Sequence, residues 1–244
     1  MASFDRNLAA LSLLPKDARN FASFALYAVS AADISKDQVD YHEVGIAPFA
    51  QALADPNQAA QLVNTDVMML GYNMSTRGND TTIPWSNYHE TIKKSNDKYI
   101  PATLNGTFAE GAYMSDLFKD LRLTDSGLVH RLFRSTLPHS RLRLRDDELT
   151  QVAGLDFAEI FQRSIQLFMA EYQALQPKYI LLFGTNTQTD FAKLQQYYPE
   201  FAIKVDTQII KLKHYAPRAE NHYSVAHQNR AILNKIRAQR SAGS

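Results

Sequence analysis

The chain has 244 residues, of which 45% are apolar and 21% charged, an ordinary composition for a globular protein with a core of its own. Its net charge of +1 gives no bulk attraction to nucleic acid, so any such binding has to come from a local patch. The absence of cysteine excludes disulfides, thiolate catalysis and Cys-ligated zinc or iron–sulfur centres.

In chain order, residues 5–32 read as helical: Leu8, Leu11 and Leu14, then Phe21, Phe24, Ala25 and Ala28, recur at three- and four-residue spacing with a break near Pro15. The opening Met1-Ala2-Ser3-Phe4-Asp5-Arg6 lacks a charged stretch leading into an apolar one, so no signal peptide is expected. A second helix is expected over 46–63, with Pro48 early and a break at Asp55-Pro56. Residues 66–71 form the first strong strand, and 72–98 an unpatterned loop of a length that is usually either functional or disordered. Residues 112–118 suit a strand with Lys119 just past its end, and 125–148 read as basic and irregular. Phe157 to Gln173 repeat apolar residues at helical spacing, and Pro177 stops that helix before the buried strand Lys178 to Gly184. A short helix over 187–197, strands over 203–205 and 209–212, and an amphipathic helix over 222–239 complete the chain. Apolar strands alternating with helices indicate a central parallel sheet covered on both faces, hence an α/β protein and a three-layer α/β/α sandwich. One domain over 1–244 is expected, with a helical part at 1–65 and a core at 66–240. No run approaches the ~18 apolar residues of a membrane span, and the cytoplasm is the expected location.

Two strand ends carry the chemistry. The first strand breaks into Gly71-Tyr72-Asn73-Met74-Ser75, and a later one into His214-Tyr215-Ala216-Pro217-Arg218. Open α/β sheets place their sites at the carboxyl ends of their strands. An Asn that holds a water and a His that supports a developing anion are what hydrolysis of a base–sugar bond needs.

These segments resemble motifs of the uracil-DNA glycosylase superfamily. The first is closest to the Gly-x-Asn-Pro-Gly form of its single-strand-selective and mismatch-specific members, and the second resembles His-Pro-Ser-Pro-Arg. Between them, in the same order, Ile83-Pro84-Trp85 resembles a Pro-aromatic pair that stacks on the extruded base. Tyr113 to Lys119 resembles the strand that reads the base edge, and Lys178 to Gly184 the strand before the second motif. The resemblance covers roughly 66–236. It implies a DNA glycosylase of base excision repair, acting on uracil or another damaged base flipped out of DNA, as a monomer and without metal or cofactor. Asn73 and His214 would be catalytic, and Gly71, Tyr72, Trp85 and Asp116 would bind the base. Ser75, Lys211, Lys213, Pro217 and Arg218 would contact DNA. Met74-Ser75, Tyr215-Ala216 and Asp116 depart from the family's Pro-Gly, Pro-Ser and Asn.

Each residue also has a plainer explanation. Asn73 is a good turn residue, because Asn tolerates left-handed dihedrals and bonds its own backbone. His214 is one of seven histidines and could simply pack, although Lys211 and Lys213 beside it would favour its neutral form. Asp116, when ionised, presents only acceptors to a base edge, which opposes uracil O4. Alternatively it caps the following helix. Trp85, the only tryptophan, either stacks on a base at ~1–3 kcal/mol or plugs its loop. Arg131, Arg134, Arg141, Arg143 and Arg145 suit phosphate contacts, or form a solvated face balanced by Asp146, Asp147 and Glu148. A catalytically altered nucleic-acid-binding module of the same fold, or an unrelated small-molecule-binding α/β protein, therefore stand as the alternatives. No Walker loop, Gly-x-Gly-x-x-Gly or Gly-x-Ser-x-Gly occurs, and His222 and His227 are spaced onto different helix faces.

Overall fold

The computed structural model describes residues 3–74, 83–119, 123, 125–141, 143–217 and 220–242, without the side chains of 151 and 240–242. Helix α1 (Phe4–Leu13), capped by Ser3, leads through a short 3-10 turn to strand β1 (Ser23–Phe24). Helices α2 (Ala31–Ser35), α3 (Ala50–Ala54) and α4 (Pro56–Leu62) precede β2 (Asn64–Asn73). Then follow α5 (Ile100–Leu104), β3 (Ala112–Phe118), α6 (Ser126–Thr136), α7 (Asp146–Gln151) and α8 (Phe157–Leu175). The chain continues through β4 (Tyr179–Phe183), α9 (Thr185–Tyr197), β5 (Gln208–Leu212) and α10 (His222–Ala242).

The described strands form one mixed sheet in the order β1-β3-β2-β4-β5. β2, β3, β4 and β5 run parallel, and β1 closes one edge antiparallel to β3. Side chains alternate across the sheet as the pleat requires. Met68, Leu70, Ile180 and Leu182 enter a core with α6, α8 and α9, while Val67, Met69, Leu181 and Phe183 enter a second core with α5 and α10. Burial on both faces is why β2 and β4 are nearly unbroken apolar runs. The molecule is an α/β protein consistent with a three-layer sandwich.

Several expectations are corrected. The stretch 5–32 is not one broken helix, because Ser23 and Phe24 pair with Met114 and Tyr113 in the sheet. The helical N-terminal part thus supplies an edge strand. Residues 125–148 are not irregular: Asp125 caps α6, whose Leu128, Val129, Leu132 and Phe133 are buried in the first core. Within the expected loop 72–98 the chain is still in β2 through Asn73, and 203–205 form no strand.

A fully buried ion pair ties α8 to the sheet. Lys119 Nζ lies 3.0 Å from Glu171 Oε2, and both side chains have no exposed surface. Tyr113 and Ser115 hydroxyls donate to Glu171 Oε1 at 2.7 and 3.1 Å, and Lys119 Nζ also donates to the Asp116 carbonyl at 2.5 Å. No helix among the described residues is long and apolar enough to cross a membrane.

Candidate active site at the carboxyl edge of the sheet

The chain leaves β2 toward β3 on one side and leaves β4 toward β5 on the other. Connections that diverge in this way open a crevice outside the carboxyl ends of the two strands. Asn73 ends β2 at this crevice. Gly184 ends β4, with φ +87, and the chain returns to it after β5 as His214. A Cβ on Gly184 would lie 3.1 Å from His214 Cδ2 and 3.2 Å from His214 Cβ. Glycine is therefore needed here twice, for its dihedral and for the closeness of the imidazole. Leu70 pairs with Leu182, so Asn73 stands level with the residue after Gly184 on the adjacent strand.

The protonation of His214 is fixed locally. The Ala216 amide donates to His214 Nδ1 at 3.0 Å, which only a bare nitrogen can accept. The proton of the neutral ring is then on Nε2, and the ring presents a donor. The residue is exposed, and the partial desolvation of its ring against its neighbours lowers its pKa from the ordinary histidine value, with the charge of His222 acting in the same direction. Lys213 is engaged with Glu220 at 2.6 Å. Tyr215 stacks on His214 with centroids 4.7 Å apart. Asn73 donates from Nδ2 to the carbonyls of Leu123 at 2.7 Å and Met74 at 3.3 Å, which orients its amide.

The other expected residues separate. Gly71 lies opposite Asp116 in the ladder, and a Cβ there would sit 2.1 Å from Tyr88 Oη and 2.6 Å from Asp116 Oδ1. Tyr88 donates to Asp116 Oδ1 at 2.5 Å and Asn87 Nδ2 donates to Oδ2 at 2.9 Å. Asp116 is 3% exposed, and burial pushes its carboxyl up. Its oxygens are thus occupied by protein donors. It does not cap a helix either, since that role belongs to Asp125. Tyr72 turns to the opposite face of the sheet and bonds Asp190 at 2.5 Å. Trp85 packs on Phe24 with centroids 5.0 Å apart, and its backbone is held by Arg19 and Ser23. Both Trp85 and Tyr88 adopt φ near +64, a conformation uncommon for bulky residues and retained only where neighbours fix it. Ser75 and Arg218 lie outside the described residues. Lys211 is exposed on the edge strand β5, and the Pro217 carbonyl accepts from His222 Nε2 at 3.0 Å. Among the arginines, Arg131 and Arg145 are tied to Glu148 at 2.5 and 3.3 Å, and Arg134 lies 3.9 Å from Asp190. Arg141 and Arg143 are exposed.

Asp97 sits beneath this region, where burial, Glu90 and Asp116 push its carboxyl up to about 7. A folded-state value above the ordinary ~3.9 means the folded protein holds the proton more tightly, so stability falls as pH rises from ~4 through ~7. Asp97→Asn should remove this loss, leaving the variant more stable than the parent at pH 8 and closer to it at pH 4. Thermal unfolding followed by circular dichroism at the two pH values measures it; equal shifts in melting temperature would contradict it.

A cavity of about 410 Å³, lined by Ile34, Asn105, Glu110, His227 and Arg230 among others, lies at the opposite, amino edge of the sheet. Comparison with protein-family models, with curated proteins and with solved structures gives no match.

Proposed function

We propose that the chain is a DNA glycosylase-like hydrolase of base excision repair, working as a cytoplasmic monomer on a uracil-DNA glycosylase-like fold. It cleaves the bond between a sugar and uracil or another damaged base. The observation that carries this reading is His214, a neutral imidazole whose Nε2–H donor is set by the Ala216 amide at the carboxyl edge. Such a donor stabilises negative charge that appears on a base as its bond to the sugar breaks. Asn73, at the end of β2 with β4 between it and β5, orients the attacking water, a gain that comes from position and not from basicity. Asp116, engaged by Tyr88 and Asn87, lies beside Gly71 with both carboxyl oxygens already bonded.

One observation favours a second reading. The space in front of Gly71 is occupied by the Tyr88 hydroxyl, so a base entering there has to displace it. A binding module of the same fold, without catalysis, would tolerate that. Release of free base from single-stranded oligonucleotides carrying uracil, hypoxanthine or other modified bases separates the two: release from any of them supports the enzyme.

Both readings require a phosphate-binding surface beside the crevice, a role we assign to the exposed Lys211 and to Lys213, whose pair with Glu220 a phosphate would displace. Lys211→Ala with Lys213→Ala should weaken DNA binding and flatten the slope of log Kd against log salt. The slope should fall by about 0.7 for each single-strand phosphate that is no longer neutralised. An unchanged slope in a fluorescence anisotropy titration would move the DNA path elsewhere.

A further inference from the structure

Hydrolysis at this edge leaves a proton without a destination. Water attacking a sugar carbon must lose one, and the neutral amide of Asn73 does not take it. A histidine and a buried carboxylate meet at the same edge, on the face of the sheet covered by α6 and α9. Asp190 projects from α9 with no exposed side-chain surface, and its Oδ2 accepts from His130 Nδ1 at 2.7 Å and from the Tyr72 hydroxyl at 2.5 Å. Tyr72 immediately precedes Asn73 at the end of β2, and Asp190 follows Gly184 by less than two helical turns. His130 projects from α6 with 29% of its side chain exposed. With the carboxylate accepting, Nδ1 is the donating nitrogen, and in the neutral ring Nε2 is left bare. This is the arrangement by which a carboxylate fixes the tautomer of a general base. The charged and titratable groups around the ring are Asp190 on α9, Tyr72 on β2, and Arg134 and Arg131 on its own helix, with Arg134 Nη1 3.9 Å from Asp190 Oδ1.

We propose that His130, oriented by Asp190, is the proton acceptor of this edge. The proposal rests on the glycosylase-like reading. As the water oxygen bonds the sugar carbon, the carbon–nitrogen bond breaks with its electron pair passing to the base. The water proton goes to His130 Nε2 and thence to solvent, and His214 donates to the anionic base. Asp190 is a positioning residue in this scheme. It keeps Nδ1 protonated and supports the imidazolium that forms.

The test is base release from a single-stranded uracil oligonucleotide over pH 5–9, for the wild type and for His130→Gln, Asp190→Asn and Tyr72→Phe. His130→Gln should lower kcat by ~100-fold or more, the usual worth of a general base, and abolish the acid limb of the profile, with KM changed by less than about twofold. Asp190→Asn should also lower kcat, because an amide admits the wrong tautomer. Tyr72→Phe should keep the acid limb, since the His130–Asp190 bond survives. Wild-type turnover and an unaltered acid limb in His130→Gln overturn the proposal. That half-exposed position decides alone if Asp190→Asn does not fold. If the wild type releases no base from any modified oligonucleotide, the glycosylase reading fails separately, and the dyad is then read by diethyl pyrocarbonate. Asp190→Asn should slow carbethoxylation of His130 while exposed His139 reacts as before, and an unchanged rate at His130 overturns the dyad.

Discussion

Lys119→Met will cost about 3–5 kcal/mol of folding stability at pH 8, the usual consequence of leaving one member of a buried ion pair alone. Lys119 and Glu171 have no exposed side-chain surface, and Nζ stands 3.0 Å from Oε2. Removing the ammonium leaves Glu171 with hydroxyl donors from Tyr113 and Ser115 on Oε1 only. Burial already pushes the Glu171 carboxyl up, and loss of the lysine that opposes this raises it further. A carboxyl raised in the folded state costs stability as pH rises, so the defect should be smaller at pH 5 than at pH 8. Lys119→Met with Glu171→Gln should recover much of the loss at pH 8, because a neutral amide escapes the charge-burial penalty. Urea unfolding of the two variants at both pH values measures this. A pH-independent loss, or a double variant as weak as the single one, would show that Lys119 acts by packing against Phe21 and Phe168 instead.

Whether an element is legible in the sequence depends on whether the contacts that make it are local. β3 and β4 follow from apolar runs because strands buried on both faces need them, and 112–118 matches the strand end for end. β1 has two residues and exists only through pairing with Met114 and Tyr113, some ninety residues on, which no local pattern announces. α6 is different. Its apolar residues stand at i, i+1, i+4 and i+5 behind an Asp cap, a helical signal masked by His130 and Arg131 between them. The same holds for Asp190, a carboxylate on the inward stripe Thr187, Asp190, Phe191, Leu194 of α9, and an acid on an apolar face is a readable anomaly. Its partners, Tyr72 and His130, come from separate elements, and no sequence spacing joins them. Asp116 likewise reads as a group at an open strand end because Tyr88 and Asn87, which enclose it, come from a loop without periodicity. The tautomer of His214 depends on an amide only two residues away, yet it needs the turn geometry to be seen.

On the proposed glycosylase reading, His214→Ala should lower kcat for base release by ~100-fold or more, about 2.7 kcal/mol of transition-state stabilisation, while DNA affinity stays within about twofold. The donor acts on charge that exists only once the base–sugar bond is breaking, so the ground-state complex does not register its loss. Asn73→Ala should fall by a similar factor for a different reason: the water loses its orientation, and the amide's bonds to Leu123 and Met74 go with it. Gly184→Ala separates chemistry from contact. The added methyl would lie 3.1 Å from His214 Cδ2 on a backbone at φ +87, so the imidazole must shift although residue 184 offers no functional group. Its kcat should therefore drop toward that of His214→Ala, and combining the two should cost little more than either alone, because the added methyl then meets only the Cβ and has no ring to displace. Single-turnover base release with anisotropy-measured DNA binding supplies both quantities. Wild-type turnover in His214→Ala would remove this histidine from the mechanism. Fully additive losses in the double variant would mean that Gly184 acts on the crevice by another route than the ring packed against it.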